Sequence, residues 1–150
     1  MLSTELHLID TSVLILLARD HMPGRAVQAQ LARPREAPKH LISIVSVGEL
    51  YAMAVKRNWG DAKIAALVRL LDAFEWVNVN DNGVLPAYAS IDARSESLGR
   101  QMGKNDIWNA ASAHARGVLL VTSDRDFDHL HPTWLTRVLI DPLTGTEITN

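Results

Sequence analysis

The sequence predicts an α/β fold: helices on the faces of a central, mostly parallel sheet. Helical and strand patterns alternate from end to end, with no repeat, low-complexity tract or linker between them. The run at 41–45 (LISIV) is apolar and β-branched, as expected of a strand buried on both faces. At 150 residues, with 47% hydrophobic and 21% charged, the chain suits one domain spanning 1–150 around a single core.

The elements follow in order. Residues 5–9 read as a first strand and 11–19 as a helix directly after it. A second helical stretch, 25–33, is closed by Pro34 and Pro38. The second strand, 41–45, leads into a helix at 47–57 with Ser46 as its N-cap, broken by Gly60. Residues 61–74 are amphipathic, with Ile64, Leu67, Val68 and Leu71 on one stripe. A short strand at 76–79 and a helix at 84–101 come next. The helix at 105–116 has Asn105 as N-cap and Gly117 as its stop, and a fourth strand follows at 118–122. A helical turn is expected at 127–130 and a final strand at 137–140.

Composition narrows the chemistry. No apolar run is long enough to span a bilayer. The N-terminal MLSTELHLIDTS carries acids where a signal peptide needs Lys or Arg, so the expected location is cytoplasmic. There are no cysteines, which excludes disulfides, thiolate zinc sites and cysteine nucleophiles. A net charge of −2 argues mildly against a passive nucleic-acid binder. It argues less against an enzyme whose acidic cleft is neutralised by metal.

Four acids then converge. Asp10 follows the first strand, Glu49 lies just past the second in the next helix's first turn, and Asp124 follows the fourth. In a parallel sheet these points share the carboxyl edge, where open α/β folds place their sites. Asp106 reaches that edge by another route. It opens a helix about 16 Å long, which turns through Gly117 into a strand of similar length and runs antiparallel to it. The helix start therefore lies near the strand end. Four carboxylates flanked by Ile9, Val47, Ile107 and Val121 repel one another with little screening. Such a cluster needs protons or a cation. Oxygen ligands without cysteine or well-spaced histidine suit Mg²⁺ or Mn²⁺ rather than zinc.

Each acid also has a purely structural reading. Asp10 suits the start of a helix, Ser46 and Glu49 have capping-box spacing, Asp106 complements a helix dipole, and Asp124 suits a turn. None of these requires a shared edge, and that coincidence favours a joint metal site. Elsewhere the structural readings prevail. His129 and His131 belong to a solvated loop, and His114 is a surface or partly buried histidine. Trp59, Trp76, Trp108 and Trp134 are packing residues. Arg33, Arg35, Lys39 and His40 form a basic stretch that reads first as a solvated loop, with an RNA-backbone contact as the lesser alternative, and Lys56, Arg57 and Arg100 are similar cases. Lys104, two residues before Asp106, has the best claim to touch a phosphate.

Four segments together resemble the PIN domain, and more closely its VapC-type toxins. They are Leu8-Ile-Asp-Thr-Ser12, Ser46-Val-Gly-Glu-Leu50, Asn105-Asp-Ile-Trp-Asn-Ala-Ala111 and Val121-Thr-Ser-Asp-Arg-Asp-Phe127. The resemblance covers nearly the whole chain in the right order, and the last two segments are the most specific. It implies a Rossmann-like α/β/α sandwich and Mg²⁺- or Mn²⁺-dependent endoribonuclease activity. By position, Asp10, Glu49, Asp106 and Asp124 match the family's four acids, and Asp126 a further, less constant one. Thr11, Ser12 and Thr122 match small hydroxyl residues beside the metal. The resemblance also implies an RNA substrate, which Lys104 would contact, a homodimer, and a cognate antitoxin whose C-terminal segment covers the site. One departure is Tyr51-Ala-Met-Ala54, where members often carry a glycine; it bears on helix packing or the antitoxin groove and removes no ligand.

The expected chemistry is hydrolysis of RNA phosphodiester bonds by a metal-activated water. Asp10 and Asp106 would be direct ligands, Asp124 direct or through water, and Glu49 would orient the water or complete a second metal position. The alternatives are a catalytically inactive RNA-binding or interaction module on the same fold, and phosphoryl transfer through an aspartyl-phosphate. The latter usually wants an acid two residues after Asp10, where this chain has Ser12.

Overall fold

The computed structural model describes residues 5–149; the first four residues of the N-terminal stretch lie outside that range. A six-stranded sheet runs in the order β3-β2-β1-β4-β5-β6. Its strands are β1 (His7–Ile9), β2 (Leu41–Ser43), β3 (Glu75–Val77), β4 (Leu119–Thr122), β5 (Arg137–Ile140) and β6 (Glu147–Ile148). The first five are mutually parallel, and β6 closes one edge antiparallel to β5.

Alternation along the strands divides the core into two layers. Ile9, Ile42 and Val121 face α1 (Thr11–Ala18), α2 (Met22–Leu31), α3 (Ile44–Lys56) and α4 (Asp61–Asp72), meeting Val13, Leu14, Val27, Leu50 and Leu71. Leu8, Leu41 and Leu120 face the opposite way, against α5 (Val84–Ser97), α6 (Lys104–Arg116) and the 3₁₀ turn Arg125–Leu130, meeting Ile91, Ile107, Ala110 and Phe127. Helices therefore cover both faces, as the α/β/α expectation requires. Successive strands step outward from β1 to β2 to β3, and the chain then returns to place β4 on the other side of β1. Strand order reverses between β1 and β4, where sheets of this kind open a crevice at their carboxyl ends.

Several sequence-based boundaries are corrected. β2 ends at Ser43, and Ile44 and Val45 already belong to α3. Their β-branched character suits a buried strand, but they are only half-buried and form the first turn of a helix that Ser43 caps. The N-cap of α3 is accordingly Ser43, whose hydroxyl accepts from the Val45 N–H at 3.1 Å. Ser46 lies inside the helix, so the capping box is not formed. α2 begins at Met22, because Pro23 fits a first helical turn and the His21 ring accepts from the Gly24 N–H. The N-cap of α6 is Gly103 rather than Asn105. Of the α4 stripe, Leu67 and Leu71 are buried, whereas Ile64 and Val68 remain exposed. β5 is not the last strand, since the short β6 turns back on it. Among the described residues, no helix is long and apolar enough to cross a membrane.

Candidate metal centre

Asp10 leaves β1 at the crevice, its N–H held by the Val121 carbonyl of β4 at 2.9 Å. The residue is 1% exposed. Burial pushes its carboxyl above the usual range, and three side-chain donors oppose that rise. Ser12 and Thr122 donate hydroxyl hydrogens to Oδ2 at 2.7 and 2.9 Å, and Asn109 donates its amide to Oδ1 at 2.6 Å. The same hydroxyls tie down the end of β4. Ser12 accepts from the Ser123 N–H at 3.1 Å, and Thr122 from the Asp124 N–H at 3.0 Å.

A second chain of contacts joins Asp10 to Glu49 across three helices. Asn109 on α6 accepts from the Ser46 hydroxyl at 3.1 Å, Ser46 lies 2.7 Å from the Thr11 hydroxyl, and Thr11 donates to Glu49 Oε1 at 2.7 Å. Glu49 is thereby aimed by α1. Ser46 and Asn109 are wholly buried, so a polar wire lies where helices α1, α3 and α6 meet over the sheet edge.

Asp106, Asp124 and Asp126 form the open part of the site. One carboxylate oxygen from each lies within 4.8 Å of the others. Asp106 sits in the first turn of α6, and Gly117 at φ 64° turns that helix back into β4. Asp124 precedes the 3₁₀ turn and accepts from the Asp126 N–H at 2.9 Å. The Asp106 carboxyl is pushed up to about 7, first by burial and then by the charges of Asp10, Asp124, Asp126 and Glu49. The described chain sets no cation inside this cluster; Lys104 pairs outward with Asp92 at 3.9 Å and is largely exposed. It lines a small cleft of about 290 Å³ with Glu49, Gly103, Asn105 and Asp106.

All four sequence-derived acids thus stand at one edge, but in two roles. Asp106 and Asp124 are open, joined by Asp126. Asp10 and Glu49 are held from behind by hydroxyl and amide donors. Ser46, read from the sequence only as a helix cap, and Asn109 are site residues that the sequence reading does not identify. Asn109 carried a signal, since it lies one turn after Asp106 on a helix whose neighbouring positions, Ile107, Ala110 and Ala111, are all core residues. His129 and His131 each engage a ring nitrogen outside the acid cluster. His129 Nε2 meets the Ser95 hydroxyl at 2.8 Å, and His131 Nδ1 accepts from the Arg137 N–H.

The PIN domain family matches residues 7–131, which takes in every acid just described. The chain belongs to the PIN-domain family. Among its relatives is Ribonuclease VapC2 of Haemophilus influenzae, 25% identical over 125 residues, covering 83% of this chain and 91% of the relative. The solved VapBC-1 of nontypeable Haemophilus influenzae superposes with a TM-score of 0.75 at 18% identity, covering 89% of this chain and 97% of the other. Mycobacterium tuberculosis VapC20, described as a Sarcin-Ricin loop cleaving toxin, gives 0.61 at 19% identity, covering 83% and 95%. Within the PIN domains the chain is thus similar to VapC-type toxins, and this similarity supports a nuclease.

Proposed function

We propose that the protein is a divalent-metal-dependent endoribonuclease and the toxin of a toxin–antitoxin pair. The observation that carries this reading is the trio Asp106, Asp124 and Asp126, backed by Asp10, with Asp106 raised to about 7. A cluster of oxygen donors that cannot all ionise without a counter-charge fits a hard divalent ion such as Mg²⁺ or Mn²⁺. Asp106 and Asp124 would hold it, with Asp126 and Asp10 completing its surroundings. When bound, the ion supplies Lewis-acid stabilisation of the phosphate and lowers the pKa of the attacking water. The chain does the rest. Ser12, Thr122 and Asn109 keep Asp10 in one orientation, and Thr11 fixes Glu49, which would orient the attacking water.

The decisive experiment incubates purified protein with structured RNA in Mn²⁺ or Mg²⁺ and in EDTA. Cleavage only with metal, leaving 5′-phosphate and 3′-hydroxyl ends, is expected. A 2′,3′-cyclic phosphate would refute the scheme, since the ribose hydroxyl would then be the nucleophile. Metal-independent binding without cutting would favour the inactive module. An antitoxin partner, a homodimer and a cytoplasmic location belong to the same proposal. The antitoxin is supported by solved neighbours that are VapBC complexes, and co-purification of a protein encoded beside this chain tests it.

A further inference from the structure

The acid trio has a second neighbour beside the Lys104 cleft. On the opposite flank, between the end of α5 and the 3₁₀ turn, lies an open polar cleft of about 600 Å³. Asp126 forms part of its wall and belongs to the trio, so the cleft borders the acids. Arg100, Gln101, Arg125, Asp128 and His129 line the remainder.

Arg100 is placed there by the helix end. α5 stops in a Schellman motif: Gly99, at φ 67°, donates its N–H to Glu96 O at 3.0 Å, and the Arg100 N–H returns to Ser95 O at 2.8 Å. The backbone of Arg100 is therefore fixed, while its exposed guanidinium makes no hydrogen bond or ion pair with any described residue. The facing wall is held by the same residue that anchors the motif, because the buried Ser95 hydroxyl meets His129 Nε2 of the 3₁₀ turn. Arg125, on that wall, pairs with Asp128 at 3.5 Å. Asp128 also binds Arg137, so Arg125 can leave without stranding a charge.

A preformed cleft with a guanidinium free of protein partners, bordering the acid cluster, suits a phosphate. Guanidinium groups hold phosphate oxygens through paired, directional hydrogen bonds. A polyanion reaching Asp126 needs such a cation to offset that carboxylate. We propose that this cleft is a subsite for the RNA backbone phosphate next to the scissile one, held by Arg100 with Arg125 as second contact. The strand would then continue across the trio toward Lys104. The inference rests on the ribonuclease reading above.

The test uses a defined oligoribonucleotide that the full-length protein cleaves, and a series in which one linkage at a time is a neutral methylphosphonate. Arg100→Ala should raise KM about tenfold, with kcat changed far less, and lower the salt slope of binding by about one. Neutralising one linkage beside the cut should cost the wild type a similar factor and cost Arg100→Ala nothing more. Arg100→Lys should fall between. An unchanged KM and salt slope in Arg100→Ala would overturn the subsite. So would methylphosphonate penalties that add to the Arg100 effect at every linkage. If the wild type cuts no RNA, the ribonuclease reading fails by itself. The subsite is then judged by RNA affinity in fluorescence anisotropy, where equal binding by wild type and Arg100→Ala removes it.

Discussion

At the start of β1, His7 is buried beside His40 and near Arg33; just past its end, Asp10 is buried among three donors, and its charge acts on Asp106 together with those of Asp124, Asp126 and Glu49. One short strand thus carries a basic cluster at its amino end and an acidic one at its carboxyl end. At the amino end the two histidines relieve the repulsion by staying neutral beside Arg33. Burial lowers both histidines, His40 to about 4, so both are neutral near pH 7. His40 is then locked by the His7 N–H on Nδ1 and Leu31 O on Nε2, each at 3.1 Å. The carboxyl-end groups relieve theirs only in part. Burial raises Asp10 against the donors Ser12, Thr122 and Asn109, and burial with the neighbouring charges raises Asp106 to about 7, so Asp106 is still partly ionised near pH 7. Groups that sit neutral at working pH serve structure, whereas a cluster poised near pH 7 is left to be completed by a ligand.

The sharpest way to break this contrast is to remove charge at the carboxyl end. Asp106→Asn and Asp10→Asn are each expected to reduce RNA cleavage by about a thousandfold or more while the circular dichroism spectrum stays native. For Asp106 the sign on stability is reversed. Its folded pKa, about 7, lies above the unfolded value, so metal-free stability falls as pH rises from about 4 to 7 and stays low above that. Asp106→Asn should therefore melt ~2–4 °C higher than wild type at pH 8, a value discounted for partial exposure, with a smaller gain at pH 5. Unfolding of both variants would instead make these acids structural.

Metal should affect one end alone. At about a hundred times Kd, Mn²⁺ is expected to raise the melting temperature by roughly 5–10 °C at pH 8, and by less at pH 5.5, where protons compete. Equal stabilisation of wild type and Asp106→Asn, measured by differential scanning fluorimetry, would place the ion elsewhere.

Asn109→Leu tests the wire between the two held acids. It leaves Asp10 short of a donor and Ser46 short of an acceptor, at a cost of ~1–3 kcal/mol in urea unfolding. Mn²⁺ binding should weaken with it. A loss of stability with unchanged Mn²⁺ affinity would make Asn109 a packing residue only.

The sequence showed the sheet edge well and the wire poorly, for a physical reason. Asp10, Glu49 and Asp124 follow strands, and a parallel sheet aligns strand ends whatever the exact boundaries. That is why misplacing the end of β2 at Val45 did no harm to Glu49. Asp106 needed only a helix-to-strand turn at Gly117. Ser46 and Asn109 depend on how α3 and α6 pack over that edge, and local periodicity does not encode a helix crossing. The α4 stripe shows the same limit, since Ile64 and Val68 share a face with Leu67 and Leu71 yet stay exposed. Asp126 was legible as an acid, but its reach toward Asp106 depends on the 3₁₀ turn.

The smallest expected effect belongs to the amino end. His40 has a folded pKa below its unfolded value, so the unfolded chain binds the extra proton, and stability is lost as pH falls from about 6.5 toward 4. His7 is lowered too and adds to the same limb. His40→Gln keeps a donor for Leu31 O but offers nothing that titrates. It should cost ~1 kcal/mol near pH 7.5, where the acceptor for the His7 N–H is weakened. It should also reduce the acid slope of the urea midpoint by roughly half. Cleavage at pH 7.5 and the Mn²⁺ shift should not change, because the site lies at the other end of the strand. An unaltered acid slope would mean that protonation of the carboxylates, not of His7 and His40, governs acid unfolding. The two ends of β1 would then share a single electrostatic origin rather than two opposed ones.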